Sequence, residues 1–207
     1  MNESTVYVGL DVHKETIAVA VARAGRGEPE YHGEVRHTAQ GIAKLLKQLS
    51  PQGEVLDVCY EAGPCGYGLY RELVGRGHRC TVVAPALIPR QAGVRLKTDR
   101  RDALRLARLH RAGELTAVWV PDAEQEAIRD LSRAREDMKA IELKARQRLG
   151  AFLLRHGQVY REGASRWTKA HWRWLEAVKM PSPVQQLVLQ EYVEAVKEAP
   201  SPRSAQR

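Results

Sequence analysis

Glu54-Val-Leu-Asp-Val-Cys-Tyr-Glu-Ala-Gly-Pro-Cys-Gly-Tyr-Gly-Leu-Tyr-Arg-Glu-Leu-Val-Gly-Arg-Gly-His-Arg-Cys-Thr-Val-Val-Ala84 is the stretch whose pattern decides the architecture. Its first apolar run, through Cys59 and Tyr60, reads as a buried strand closed by Glu61. Gly63, Pro64, Gly66 and Gly68 punctuate a turn, and residues 69–75 carry Tyr70, Leu73 and Val74 on one helical face. Residues 79–84 form another strand, ended by Pro85. Strand, helix and strand at this spacing predict a right-handed parallel crossover.

Upstream, Val6-Tyr7-Val8-Gly9-Leu10 is a short apolar run that ends at Asp11. Residues 16–22 read as a second strand, and residues 31–37, after the Gly25-Arg26-Gly27 turn, as a third. Short connections make these three an antiparallel meander. Residues 41–49 have helical periodicity and stop at Ser50-Pro51. The expected fold class is therefore α/β, a mixed five-stranded sheet with flanking helices.

Downstream, residues 86–96 contain Pro89 and Gly93 and read as an irregular loop. Residues 118–120 are a short strand or extended connector. Asp122 then caps a long amphipathic helix over residues 123–156, with Ile128, Leu131, Met138, Ile141, Ala145, Leu149 and Phe152 in a near-heptad stripe. A helix of that length spans roughly 50 Å at 1.5 Å per residue, so a coiled-coil or helical arm is its natural use. Its basic face either lies on nucleic acid or is solvated. Trp167, Trp172 and Trp174, mixed with Lys169, His171 and Arg173, either stack on bases or pack a small helical core. A last helix over residues 184–198 precedes a tail, residues 200–207, of disordered composition.

Net charge is +8, and its placement is informative. Residues 90–173 carry 20 Lys+Arg against 11 Asp+Glu, which leaves 13 against 14 for the remainder. A basic surplus confined to one segment points to a polyanionic partner. Its centre is residues 97–115. Thr98 or Asp99 can cap a helix there and Gly113 can end it, while Leu104, Ala107 and Leu109 recur at helical spacing. Asp99 and Asp102 share one face of the first turn, inside a field of Arg95, Lys97, Arg100, Arg101, Arg105, Arg108 and Arg111. Paired acids among cations suit a divalent metal beside a phosphate backbone; they also suit a solvated helix whose acids pair with its arginines.

Cys59, Cys65 and Cys80 form no CxxC pair, so neither a disulfide framework nor a zinc site is expected. No apolar run approaches a membrane span and no signal peptide precedes the first strand, so a cytoplasmic protein is expected. A Gly-Lys-Ser/Thr phosphate loop is missing, which removes an ATP-driven reading.

Four acids stand at informative places: Asp11 ends the first strand, Glu61 the fourth, and Asp99 with Asp102 opens a later helix. If the first and fourth strands are neighbours, Asp11 and Glu61 meet at one sheet edge and the helix brings the other two. Four such carboxylates can hold two Mg²⁺ ions ~3.5–4 Å apart.

Val-Gly-Leu-Asp-Val-His-Lys-Glu-Thr (8–16), Tyr-Glu-Ala-Gly-Pro-Cys-Gly-Tyr-Gly-Leu-Tyr-Arg (60–71), Val-Val-Ala-Pro (82–85) and Lys-Thr-Asp-Arg-Arg-Asp-Ala (97–103) resemble four blocks of one family. That family is the DEDD transposases of the IS110 group, which includes the Piv-type invertases. The likeness runs from about residue 5 to about residue 198. It extends through Leu-Leu-Arg-His-Gly (153–157) and Trp-Thr-Lys-Ala-His-Trp-Arg-Trp-Leu (167–175). The resemblance implies an RNase H-like, RuvC-like domain over residues 1–121 and a helical coiled-coil arm over residues 122–199. It also implies Asp11, Glu61, Asp99 and Asp102 as catalytic, metal-binding acids with Mg²⁺ or Mn²⁺. DNA is the implied partner, with a guide RNA encoded by the element in some members, and a homo-oligomer through the long helix is expected. Family members carry a further C-terminal domain that supplies a nucleophilic serine. None of Ser182, Ser201 or Ser204 lies in such a context, so an N-terminal portion without that domain is expected.

Three functions follow from these observations. The first is the metal- and nucleic-acid-binding half of a transposase, with Arg95, Lys97, Arg100, Arg101, Arg105 and Arg108 on phosphate. The second is a stand-alone RuvC-like structure-selective endonuclease, which needs no serine. The third is a non-catalytic DNA- or RNA-binding protein.

Overall fold

A computed structural model describes residues 5–89, 98–163 and 165–200. The chain divides into two compact units, Met1–Val120 and Pro121–Arg207.

The first unit is built on five strands: β1 (Val6–Val12), β2 (Thr16–Arg23), β3 (Glu30–Arg36), β4 (Leu56–Glu61) and β5 (Arg79–Val83). They lie in the order β3-β2-β1-β4-β5. β1 pairs antiparallel with β2, and β2 with β3, whereas β1–β4 and β4–β5 are parallel. This is the mixed α/β sheet expected, with β1 and β4 adjacent at its centre. α1 (Ala39–Leu49) joins β3 to β4, α2 (Gly68–Gly75) joins β4 to β5, and α3 (Asp99–Ala112) follows β5. Residues 85–87 form a 3₁₀ turn, and residues 118–120 form no strand. That connector is extended, held where the Val118 amide donates to the Val82 carbonyl at 2.8 Å.

Side-chain alternation gives the sheet two different faces. Val8 and Leu10 of β1, Val58 and Tyr60 of β4, and Val82 of β5 face one way. They pack with Ile42, Leu45 and Leu46 of α1 and Leu69 and Leu73 of α2. Large side chains fill the space between the sheet and these two helices. On the opposite face the region around β2 and the middle of β1 is made of small residues. Ala18, Ala20 and Ala22 of β2 meet Ala103 and Ala107 of α3 in a separate buried cluster, and a Cβ on Gly9 would lie 2.3 Å from the Ala107 amide nitrogen. Small side chains on both surfaces let α3 approach the sheet backbone closely.

Helix termini follow the chemistry of their caps. Thr38 caps α1 by accepting from the Gly41 amide at 3.1 Å. Thr98 caps α3, leaving Asp99 as its first residue, and Gly113 closes it in the left-handed conformation at φ 71°.

The second unit holds α4 (Ala123–Arg155), α5 (Lys169–Ala177) and α6 (Pro183–Glu198). Asp122 and Gln125 form a reciprocal capping box at the start of α4. Only the last turns of α4 enter a core: Leu149, Phe152 and Leu153 pack with Leu175, Val178, Leu189, Val193 and Val196. The earlier stripe residues Ile128, Leu131 and Ile141 are exposed in the chain. Trp167, Trp172 and Trp174 are half-buried against the helical core. No described helix is long and apolar enough to cross a membrane.

Candidate metal and nucleic-acid site

The site follows from how α3 lies along the sheet. Asp99, Asp102, Ala103, Leu106, Ala107 and His110 recur three and four residues apart and share one face. Ala103, Leu106 and Ala107 on that face are buried. Contacts fix the direction of the helix. His110 meets Tyr7 edge-on at 5.7 Å and Asp57 at 2.8 Å, near the starts of β1 and β4. Ala103 and Ala107 flank Gly9 at mid-strand, and the Cys59 thiol lies 3.6 Å from the Leu106 carbonyl. Continuing along the same ladder, Asp99 and Asp102 reach Asp11 at the end of β1. Away from that face the helix carries Arg100, Arg101 and Arg108, while Arg105 turns toward Asp102.

Asp11, His13 and Asp99 each offer a ligand atom, and these atoms lie within 4.8 Å of one another. His13 Nε2 stands 3.4 Å from Asp11 Oδ2 and 3.5 Å from Asp99 Oδ2. Asp11 has its carboxyl pushed above the ordinary range, first by burial and then by the negative charges of Asp102 and Asp99, with the His13 ring pulling the other way. Its Oδ2 is buried and makes no hydrogen bond among the described residues. Glu61 ends the neighbouring strand. Because Leu10 pairs with Tyr60, the next residues along, Asp11 and Glu61, stand at the same edge on the face that α3 covers. The Glu61 carboxyl is not among the charges that shift Asp11. The arrangement therefore gathers Asp11, Asp99 and Asp102, and sets Glu61 one strand away.

His13 is the member that sequence reading missed. It lies in the β1–β2 turn, where its amide donates to the Thr16 carbonyl at 2.9 Å and its carbonyl accepts from the His37 ring at 2.7 Å. The signal was present in Asp11-Val12-His13: a tight turn after the acid returns a residue two positions on toward the same edge.

The donors fit a hard divalent cation. Carboxylate oxygens dominate, and a half-buried carboxyl raised by burial and by the charges of two neighbouring acids is what a cation relieves. The N-terminal dipole of α3 offsets a part of that charge.

Of the cations expected on phosphate, Arg95 and Lys97 lie outside the described residues. Arg100 sits over the Tyr31 ring at 5.2 Å, and Arg101 is exposed. Arg105 approaches Asp102 at 4.0 Å, and Arg108 is half-buried.

The far end of α3 is anchored differently. Asp57 accepts from His110 at 2.8 Å and pairs with Arg79 at 3.0 Å. The His110 hydrogen bond holds the Asp57 carboxyl below the usual range against the opposing effect of burial, and the charges of His110 and Arg79 add to the lowering. An acid with a depressed folded pKa contributes stability above its unfolded value of about 3.9 and loses it as pH falls through the folded value. Urea unfolding between pH 6 and pH 3 is therefore expected to show a smaller loss of stability in Asp57→Asn than in the wild type. An equal loss in both would remove this pair as an acid-sensitive anchor.

A family model for DEDD transposases of the IS110 group, described as Transposase, matches residues 8–157. Over 191 residues the chain is 52% identical to y4qE of Sinorhizobium fredii (strain NBRC 101917 / NGR234), a protein named as a transposase; the match covers 92% of this chain and 49% of that protein. Over 193 residues it is 37% identical to the transposase for insertion sequence element IS1533 of Leptospira borgpetersenii, covering 93% and 56% respectively. The chain thus spans about half the length of the curated relatives it matches. Among solved structures, Thermus thermophilus RuvC aligns with a TM-score of 0.38 at 17% identity over 55% of this chain and 99% of that one. The same enzyme in complex with a Holliday junction substrate aligns at 0.35 and 13%, with the same coverage.

Proposed function

The chain belongs to the IS110 family of DEDD transposases, and from that premise we propose that it forms the metal- and nucleic-acid-binding portion of an insertion-sequence transposase that cuts and rejoins DNA. The observation that supports this reading is the meeting of Asp11, His13 and Asp99 where α3 begins against the end of β1, with the Asp102 charge acting on Asp11. In the proposed site Asp11, Glu61, Asp99 and Asp102 hold Mg²⁺ or Mn²⁺, with His13 as a nitrogen donor. Bound there, the cation would activate a water or hydroxyl and neutralise charge on a phosphoryl oxygen.

The chain's own residues divide the remaining work. α3 fixes the two helical acids by packing Ala103 and Ala107 on the sheet. Its arginines, Arg100, Arg101, Arg105 and Arg108, and beyond the described residues Arg95 and Lys97, meet the phosphate backbone. The domain division proposed is residues 1–121 for this RuvC-like part and residues 122–199 for the helical arm. An element-encoded guide RNA, and a homo-oligomer formed through the arm, belong to the same proposal. DNA as substrate implies a cytoplasmic, nucleoid-associated protein.

Calorimetric titration with Mn²⁺ tests the site without requiring strand exchange. Binding is expected in the wild type and its loss in both Glu61→Ala and Asp102→Ala, with circular dichroism unchanged. Binding retained in Glu61→Ala would remove that strand end from the site. His13→Gln is expected to weaken Mn²⁺ more than Mg²⁺, because imidazole suits transition metals better than magnesium; equal losses for both ions would make His13 a bystander. Nicking of branched DNA by this chain with metal alone would favour the structure-selective nuclease instead.

A further inference from the structure

The β1–β2 turn carries His13, Lys14 and Glu15, all exposed, yet it delivers the His13 ring to a place beside both Asp11 and Asp99. An exposed turn is the kind of segment that opens at little free-energy cost. Its own bond, from the His13 amide to the Thr16 carbonyl, closes the turn without fixing it to anything else. Two further bonds do that, and both come from His37. The His37 amide donates to the Glu15 carbonyl at 2.9 Å, and His37 Nδ1 lies 2.7 Å from the His13 carbonyl oxygen. A carbonyl can only accept, so Nδ1 carries the proton in this contact. Among the described residues, no other backbone hydrogen bond ties residues 13–15 to a part of the chain outside the β1–β2 hairpin.

The anchor is itself held. His37 follows β3 directly and precedes Thr38, the cap of α1. The Thr38 amide turns back to the Arg36 carbonyl at 2.8 Å. A Cβ on Gly41 would strike that same carbonyl, so the first turn of α1 is pressed against the end of β3. α1 in turn buries Ile42, Leu45 and Leu46 in the main core. Through His37 the exposed turn is therefore tied to the core of its unit. Any residue but proline would supply the amide at position 37; the second bond needs a side chain that donates.

We propose that His37 is a positioning residue for the metal site: its Nδ1–H holds the His13 peptide so that the His13 ring stands beside the two carboxylates. The proposal rests on the reading of His13 as a nitrogen donor given above. Metal sites depend on such outer partners, whose loss costs about 10–100-fold in affinity.

The test is calorimetric titration of the chain with Mn²⁺ and with Mg²⁺, with circular dichroism as the check on the fold. His37→Phe keeps a ring and removes the donor. His37→Ala removes the donor without added bulk, and His37→Asn places an amide N–H near the position of Nδ1–H. The first two variants are expected to weaken Mn²⁺ binding by about 10-fold or more. Mg²⁺ should lose less, since an imidazole ligand matters more to the transition metal. His37→Asn is expected to restore most of the Mn²⁺ affinity. A double-mutant cycle identifies the route. With His13→Gln already in place, His37→Phe should cost nothing further, because residues acting through one interaction are not additive.

Wild-type Mn²⁺ affinity in both His37→Phe and His37→Ala would overturn the proposal and leave His13 as a donor that needs no support. A loss that His37→Asn does not restore, or one repeated in full in the His13→Gln background, would also overturn it, because His37 would then act on the fold and not through His13. Unchanged Mn²⁺ binding in His13→Gln would remove His13 as a donor and this inference with it, while the carboxylate site stands. No Mn²⁺ binding by the wild type would overturn the metal site itself.

Discussion

Asp11→Asn is expected to raise the thermal unfolding midpoint of the metal-free protein and to weaken Mn²⁺ binding by at least ~100-fold, the upper end of what loss of even an outer-shell partner costs. Both effects have one origin. Burial and the charges of Asp102 and Asp99 raise the Asp11 pKa in the folded chain. For an acid with a raised folded pKa the native state holds its proton more tightly than the unfolded chain does. Stability from this group is therefore lost as pH rises from its unfolded value through the folded one. Above the folded pKa the whole penalty is present, and an amide of the same shape removes it. The same charge is what a cation needs, so the variant that folds better should bind metal worse. Asp57→Asn is the opposing control, because Asp57 is a paired acid with a depressed pKa; it should lower stability and leave the Mn²⁺ isotherm unchanged. Differential scanning calorimetry and isothermal titration on the two variants decide the matter. A lower midpoint in Asp11→Asn would mean that its contacts hold the fold rather than a cation.

That opposition between the two aspartates shows what was legible before any coordinates. Strand ends are readable where an apolar run gives way to a charged residue close to a turn, so Asp11 and Glu61 announced themselves beside Leu10 and Tyr60. The helix was readable because Leu104, Ala107 and Leu109 recur at helical spacing and Thr98 and Gly113 bracket them, although the face it buries is Ala103, Leu106 and Ala107 together with Leu109. Asp57 was hidden in mid-strand. Its partners His110 and Arg79 lie 53 and 22 residues away in sequence, and local periodicity carries no information about which distant helix covers a strand. His13 was hidden for a different reason: a turn residue's direction depends on backbone hydrogen bonds, here those of Thr16 and His37. The stripe on α4 is the instructive case. Ile128, Leu131, Ile141, Leu149 and Phe152 belong to one near-heptad stripe, yet of these five only the last two are buried in the chain. A periodic pattern identifies an apolar face and says nothing of what covers it.

Gly9→Ala is expected to be more damaging than its single methyl suggests. The added Cβ would stand 2.3 Å from the Ala107 amide nitrogen and 2.4 Å from the Ala103 carbonyl oxygen. Both are backbone atoms of α3, so no side chain can rotate away, and the helix itself must move off the sheet. Overpacking a core costs ~1–3 kcal/mol even where side chains can adjust, so a loss at or above the top of that range is expected here. Against a typical stability of about 5–15 kcal/mol, the variant should still fold, with its denaturation midpoint clearly lowered. The displaced helix carries Asp99 and Asp102, so Mn²⁺ binding should fall although no ligand has been touched. Gly27→Ala, whose added Cβ meets nothing within 4 Å, is the control, expected within ~0.5 kcal/mol of the wild type. A second arm separates close backbone approach from ordinary crowding. If the clash were with side chains, Ala107→Gly would relieve it; because it is with the peptide backbone, the double variant Gly9→Ala/Ala107→Gly should be no more stable than Gly9→Ala alone. Rescue in the double variant would show that α3 is held off the sheet by its methyl groups, and the link from Gly9 to the acids would have to be abandoned.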